Sequence, residues 1–279
     1  KLLYRVPESR RQHKLTLLIE GGDEDADETY LGLSDSDFEK DPYRRYAASQ
    51  MAKFKSEHYN LLLNYSALIA ETTASNLKVY WNQFDRSWNK LDGFLSGPTL
   101  QKVLGAPDQY QNQYYVLTGQ NNSSGSDYET LDVTNNDRKY VSGGLQWSLK
   151  DDRTFGSLSV STSFGIRFHM DQVKRNHQPT TYLMSDSLMT PDAIPRPPKT
   201  LNKVDSDAFA AYLVSRFSFD DLSVDLGVRH EKIDGQVVNN ITDITEKGTQ
   251  KLTAPSVGAI WRATEAISLF AGVYEGVSP

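Results

Sequence analysis

The sequence predicts an all-β protein: an antiparallel transmembrane β-barrel segment of about 9–10 strands, with long extracellular loops and short periplasmic turns. Three observations predict it. Apolar residues alternate with small or polar ones, which gives two unlike faces to any strand because side chains alternate with period two. The links between these runs alternate between short and long, as expected when one end of every strand lies in the periplasm and the other outside the cell. Aromatic residues gather near strand ends, where a ring sits half in lipid and half in water.

The elements follow in order. A truncated strand opens the chain at residues 2–6, and Leu15, Leu17 and Ile19 mark the next. Tyr59, Leu61, Leu63, Tyr65, Ala67 and Ile69 form a third alternating run, and Trp81, Phe84 and Trp88 lie on a fourth. Val141, Gly143, Leu145, Trp147 and Leu149 alternate with small or polar neighbours, with Tyr140 and Trp147 as interfacial aromatics. The cleanest run covers 158–169. Leu158, Val160, Thr162, Phe164, Ile166 and Phe168 share one face; Ser159, Ser161, Ser163, Gly165, Arg167 and His169 share the other. Leu222, Val224, Leu226 and Val228 repeat the grammar, and Ile267, Leu269, Ala271 and Val273 close it, with Trp261 and Tyr274 nearby. Short links are expected at 7–13, 71–75, 150–155, 219–221 and 263–266, and long ones at 21–50, 89–137, 172–205 and 234–250.

Composition narrows the function. Among 279 residues, Lys+Arg 30 against Asp+Glu 36 gives a net charge of -6, which argues against nucleic acid as a partner. The absence of cysteine excludes a disulfide scaffold, a thiolate metal site and a cysteine nucleophile, and suits a chain threaded through an oxidising periplasm. No run of about 18 apolar residues exists, and no signal-peptide pattern opens the sequence. Bulk composition alone therefore reads as a water-soluble protein, and a soluble β-sandwich accounts for alternation too. The low hydrophobicity, 38%, also fits a barrel, since only alternate residues meet lipid. No phosphate loop, HExxH or G-x-S-x-G is present, and no carboxylate pair stands out by spacing, so no enzyme is expected.

Several segments resemble one family. ETYLGLSD at 28–35 followed by DPYRRYAAS at 41–49 resembles a loop of TonB-dependent outer-membrane receptors, the ferric-citrate and ferric-siderophore type above all. FDRSWNK at 84–90, RFHMDQ at 167–172, GVRHE at 227–231, APSVG at 254–258 and FAGVYEGVSP at 270–279 are similar to further family segments in the same order. The resemblance implies a 22-stranded barrel closed by an N-terminal plug in the outer membrane of a Gram-negative bacterium. It implies partners of three kinds: a ferric chelate, the TonB energising complex acting through the plug, and outer-membrane lipid. Iron would arrive as a chelate, so neither a resident cofactor nor a protein metal site is expected. On this reading residues 1–279 are the central part of the barrel domain, with the plug and the C-terminal strands expected elsewhere, and the chain alone is expected not to transport. Alternatives are the same barrel importing cobalamin or an oligosaccharide, and a passive porin or outer-membrane binding or adhesion protein.

The expected ligand contacts are Arg44 and Arg45 beside Tyr43 and Tyr46, with Arg86 next. An arginine pair beside aromatics suits a carboxylate-rich anion through bidentate hydrogen bonds. A plainer role is packing the loop or pairing with nearby carboxylates. Arg86 and Lys90, with Arg138 and Lys139, suggest a basic funnel, or simply rim charges and contacts to lipid phosphate. Arg167, His169, Asp225, Arg229 and Glu231 fall on the expected lumen face, where salt bridges within the wall are the plain expectation. His169 and His177 lack the spacing of a helical metal pair. The polar segment 121–129 lacks the ligand order of a calcium loop, and the proline-stiffened segment 193–199 reads as a rigid loop.

Overall fold

The computed structural model describes residues 2–5 and 13–276. Eleven strands form one sheet: β1 (Leu2–Arg5), β2 (His13–Ala26), β3 (Lys53–Leu68), β4 (Thr73–Phe94), β5 (Leu131–Phe155), β6 (Leu158–Ser185), β7 (Leu188–Pro191), β8 (Thr200–Phe219), β9 (Leu222–Asn239), β10 (Ile244–Arg262) and β11 (Ser268–Tyr274). Ten lie side by side in sequence order, and β7 folds back on β6 as a short hairpin. Every pairing is antiparallel, so the sheet is an up-and-down meander.

Register carries the two-faced pattern from strand to strand. Phe164 lies opposite Leu149 on β5 and Leu213 on β8, and Leu213 lies opposite Val228 on β9. One continuous apolar face results, and no second layer covers it among the described residues. Phe168 and Trp261 are each 52% exposed and Leu226 48%. Such a face in water is an aggregation surface; against hydrocarbon it is at rest. The opposite face is polar and internally paired, as in Arg216–Asp225 at 2.6 Å and the Arg229–Glu231 pair.

Two glycines fit this polar face for a steric reason. A Cβ on Gly144 would fall 2.6 Å from the Tyr80 hydroxyl, and one on Gly165 would fall 2.4 Å from the Tyr212 ring. The gap at Gly144 lets Tyr80 reach across β5 to His169 Nδ1 at 2.6 Å.

Strand length separates wall from rim. A tilted strand crosses a bilayer in about 9–11 residues, yet β5 has 25 and β6 has 28. The run of outward-facing apolar residues breaks after Val141 on β5, Met170 on β6 and Phe209 on β8, and each strand continues well past that level before apolar residues return at Val133, Leu131 and Met184 in the loop core. Here the structure corrects the expected loops. Most of 172–205 is strand, because β6 runs to Ser185 and β8 begins at Thr200. The link expected at 234–250 is a tight turn at 240–243. Beyond the apolar band neither face is uniformly apolar, so backbone pairing persists without the alternation that reveals it in sequence. The link expected at 150–155 is likewise strand, with the chain turning at Gly156 (φ 63°). The turns at 69–72 and 220–221 lie at or beside their expected places, and most of 7–13 lies outside the described residues.

The other two long links are folded. Residues 27–52 carry α1 (Asp35–Lys40), capped by the Ser34 side chain, and a 3-10 turn at Ala47–Ser49. Residues 95–130 carry α2 (Leu100–Gly105), capped by Thr99, and α3 (Gln111–Thr118), which ends on left-handed Gly119. With the β6–β7 hairpin they form a single body around fully buried Val103, Val116, Leu117, Leu131 and Met184. This is the principal hydrophobic core of the described chain.

Candidate functional site

The polar face, just beyond the apolar band on the loop side, holds a row of three arginines. Antiparallel register sets Arg86 on β4 opposite Arg138 on β5, and Arg138 opposite Arg175 on β6. Like charges directly opposite one another in a sheet destabilise it, so such a row calls for a counter-charge. The described residues supply none: no carboxylate forms an ion pair with any of the three. Two acidic groups further along β4 and β5 are engaged elsewhere. Asp92 binds Lys199 at 2.7 Å and Lys90 at 3.2 Å, and Asp132 binds Lys199 at 2.7 Å. Arg175 Nε and Trp88 Nε1 are buried donors without an acceptor, while Asp85 Oδ1, Asp132 Oδ1 and Asn202 Oδ1 are buried acceptors without a donor.

One step further from the band, His177 accepts a hydrogen bond from Arg138 Nε at 3.1 Å through its Nε2, which leaves any ring proton on Nδ1. Burial lowers the His177 pKa below its ordinary value, and the charges of Arg138, Arg175, Lys90 and Arg86 lower it further. Burial and the four nearby cations thus both favour the neutral imidazole.

Aromatic rings flank the row. Tyr30, from the 27–52 loop, packs on Trp88 with centroids 4.5 Å apart, and Phe54 meets the same indole edge-on at 5.6 Å. The Arg86 guanidinium lies 5.8 Å from the Trp88 ring centroid and the Lys90 ammonium 5.2 Å from that of Tyr30. Phe84 and Tyr140 pair on the opposite side. Guanidinium groups against aromatic planes, weakly hydrated and pre-oriented, suit bidentate recognition of carboxylate or phosphate oxygens.

The four residues singled out in the sequence fall in two places. Arg86 stands in the row. Tyr43, at the tip of the 27–52 loop, is 92% exposed. Arg44 binds buried Asp37 at 3.0 Å and lies over the Tyr46 ring, while Arg45 donates to the carbonyls of Asp27 and Ser49. Both loop arginines therefore spend hydrogen bonds within the loop. Asp37 is the hub of that arrangement, receiving the hydroxyls of Tyr46 at 2.8 Å and of Tyr114 from the 95–130 loop. Burial would raise its carboxyl, but the Tyr114 and Tyr46 hydrogen bonds and the Arg44 charge outweigh that and hold it below the ordinary range. The Tyr114 phenol is pushed up to about 12 by burial and by Asp37.

Of the suspected basic funnel, Arg86, Lys90 and Arg138 share the polar face; Lys139, one residue on, points outward. Arg175 was missed, because the alternation stops before it and register alone brings it beside Arg138. No cluster of His, Asp and Glu suited to a metal ion occurs among the described residues.

The family model described as "TonB dependent receptor-like, beta-barrel" matches residues 8–279. No curated protein is significantly similar in sequence. Among solved structures, the ferric citrate transporter FecA in its unliganded form matches at TM-score 0.66 and 16% identity, over 98% of this chain and 34% of that one. The ferric-catecholate import receptor Fiu of E. coli K12, open form, matches at 0.62 and 11%, over 96% of this chain and 45% of that one. The siderophore receptor PiuA of Acinetobacter baumannii matches at 0.62 and 10%, over 95% and 39%. The chain thus spans less than half the length of each of these structures, and identities this low speak to the fold alone.

Proposed function

The chain belongs to the TonB-dependent receptor β-barrel family, and from that premise we propose that it is the central part of the barrel domain of an outer-membrane receptor importing an anionic ferric chelate with TonB-derived energy. Proteins of this family are receptors and transporters of the Gram-negative outer membrane. The coverage of 34–45% of each solved relative supports reading the chain as one part of a larger barrel. The apolar face is then the lipid-facing wall and the polar face lines the lumen.

The observation that carries the anionic cargo is the row Arg86–Arg138–Arg175, in register, without carboxylate partners and facing the lumen. A neutral cargo has no use for such a row, whereas ferric citrate or a carboxylate- or catecholate-bearing siderophore supplies the missing counter-charge. Iron travels as cargo inside its chelator, so the protein needs to recognise only the chelator's oxygens. We assign ligand contact to Arg86 and to Tyr43 at the loop tip. Arg44 and Arg45 fix the shape of the loop that presents Tyr43 and form the outer edge of the same contact zone.

Removing one arginine from the row in the full-length receptor is expected to weaken chelate binding about tenfold, and replacing all three by Ala about 100-fold or more, given about 1.5–3 kcal/mol for a hydrogen bond to a charged group. Calorimetry with ferric citrate and with a ferric catecholate reads the effect. Unchanged affinity for every anionic chelate in the triple variant rejects the assignment, as does a larger loss from R44A/R45A than from the row.

A further inference from the structure

Arg138, in the middle of the row, is oriented by two groups that are not carboxylates. It lies opposite Arg175 on β6, and His177, two residues on, presents Nε2 to Arg138 Nε at 3.1 Å on the same polar face. A second guanidinium nitrogen donates to the Tyr140 hydroxyl at 3.4 Å. A carboxylate in either place would orient the guanidinium as well, and would cancel its charge. The imidazole orients it and leaves the charge whole.

The charged groups around the imidazole come from every element beside it. β4 contributes Arg86 and Lys90, β5 contributes Arg138 and β6 contributes Arg175, and all four favour the neutral ring. Asp92, at a bulge in β4, and Asp132 on β5 are both held by Lys199, which enters just ahead of β8. Asp85 and Asp137 alternate to the outward face. An anion reaching the row would act on this ring in two ways. Its charge offsets the four cations, and its oxygens compete for the Arg138 Nε–H, which frees Nε2 for a proton from solvent. Both effects favour the imidazolium.

We infer that His177 is a further cargo contact of the arginine row: it holds Arg138 through its neutral ring, yields Arg138 to an arriving anion, and then meets the same anion as an imidazolium. By linkage, an anion that tightens the hold of His177 on a proton is itself held more tightly by the protonated site. Affinity is then constant above the pKa of the loaded state. It rises as pH falls and levels off below the lowered pKa of the free ring. The inference rests on reading the row as an anion site.

The test uses the full-length receptor in detergent with isotope-labelled histidine, read by NMR, and H177Q identifies the resonance. Inorganic sulfate is the first probe, because its own charge is fixed across this range, and ferric citrate is the second. The His177 ring is expected to titrate below the ordinary histidine range as the Nδ1–H tautomer. Either anion is expected to raise that titration by about one pH unit, which corresponds to about tenfold in affinity. H177Q keeps an acceptor for Arg138 but takes up no proton. Between about pH 8 and about pH 5, wild type is therefore expected to gain about tenfold in ferric citrate affinity over H177Q. H177R, charged throughout, is expected to share the pH profile of H177Q and to bind more tightly than wild type at the alkaline end.

A His177 titration unmoved by both anions overturns the inference, as does a pH profile for ferric citrate that is the same in wild type and H177Q. Heat-dependent gel mobility reports folding; if H177Q fails to fold, H177N makes the assignment and the wild-type titration decides. Failure of every ferric chelate to bind, while sulfate still moves His177, would reject the cargo reading and leave the role of the histidine standing.

Discussion

The loop body and the wall bury their apolar residues in opposite ways. In the body, Leu117, Val103 and Leu131 are completely enclosed by other side chains. In the wall, Phe168, Leu226 and Trp261 lie about half exposed, and the sheet offers them no covering layer. The same side chains, in one molecule, have solved two solvation problems. The body stands in water and must build its own interior. On the proposed outer-membrane reading the wall borrows its interior from lipid and needs only one apolar side. Stability should therefore respond to cavities in the first region and to charge in the second.

The largest expected effect tests the body. Leu117→Ala removes a fully buried side chain and should cost about 4 kcal/mol, seen as protease cleavage within 95–130 while the barrel keeps its folded gel mobility. Loss of barrel folding with the loops would mean that the two regions are one cooperative unit. A smaller effect is expected in the wall, where Phe164→Arg should cost about 2–3 kcal/mol near the bilayer midplane, read by urea titration in lipid vesicles. Arg at that position without cost would deny the wall its lipid.

Smaller again is the link between the two folded loops at Asp37. Tyr114→Phe removes one hydrogen bond to the buried carboxylate and should cost about 1.5 kcal/mol. The same contact predicts a pH window. Asp37 has a lowered pKa when folded, so its contribution is present above the unfolded value of about 3.9 and fades as pH falls through the lower folded value. Tyr114 works in the other sense. Its contribution is intact below about pH 10 and fades as pH rises toward about 12. Hydrogen exchange of the loop amides should accelerate at both limits, and D37N should abolish the acid limb and shrink the alkaline one, since Asp37 also raises the Tyr114 phenol. The smallest effect is expected at Arg45, which donates to two carbonyls and forms no ion pair among the described residues: Arg45→Ala should change loop exchange by about 0.5 kcal/mol, at the low end for a neutral acceptor.

The wall was legible in the sequence because one apolar face and one polar face write period two into the chain. Leu158 to Phe168 and Leu222 to Val228 lie on strands as that pattern required. Legibility stopped where the solvent became the same on both sides. Residues 173–185 and 234–239 are strand, yet nothing in their polarity alternates. The candidate site fell in that blind zone. Arg86 and Arg138 were visible as basic residues at strand ends, but their opposition to Arg175 exists only in the register. The loops held a different kind of hidden order. Leu104, Tyr110 and Val116 carry no strong period over helices of six and eight residues, so their shared core was not apparent before the chain was folded.

The joining of the three loop segments has a thermodynamic consequence. Gln50 donates to the Ser187 carbonyl at 2.6 Å, Ser187 donates to Gly119 at 2.6 Å, and Ser123 and Met184 exchange hydrogen bonds. These bonds, with Asp37, tie the 27–52 loop, the 95–130 loop and the β6–β7 hairpin together through the protein's own groups. Ordering a loop on binding subtracts from affinity the entropy of every rotamer it freezes. Here that ordering belongs to the folding of the protein itself. An arriving anion would find its surroundings already assembled, so its affinity should depend mainly on charge and only weakly on the heat capacity changes that mark coupled folding.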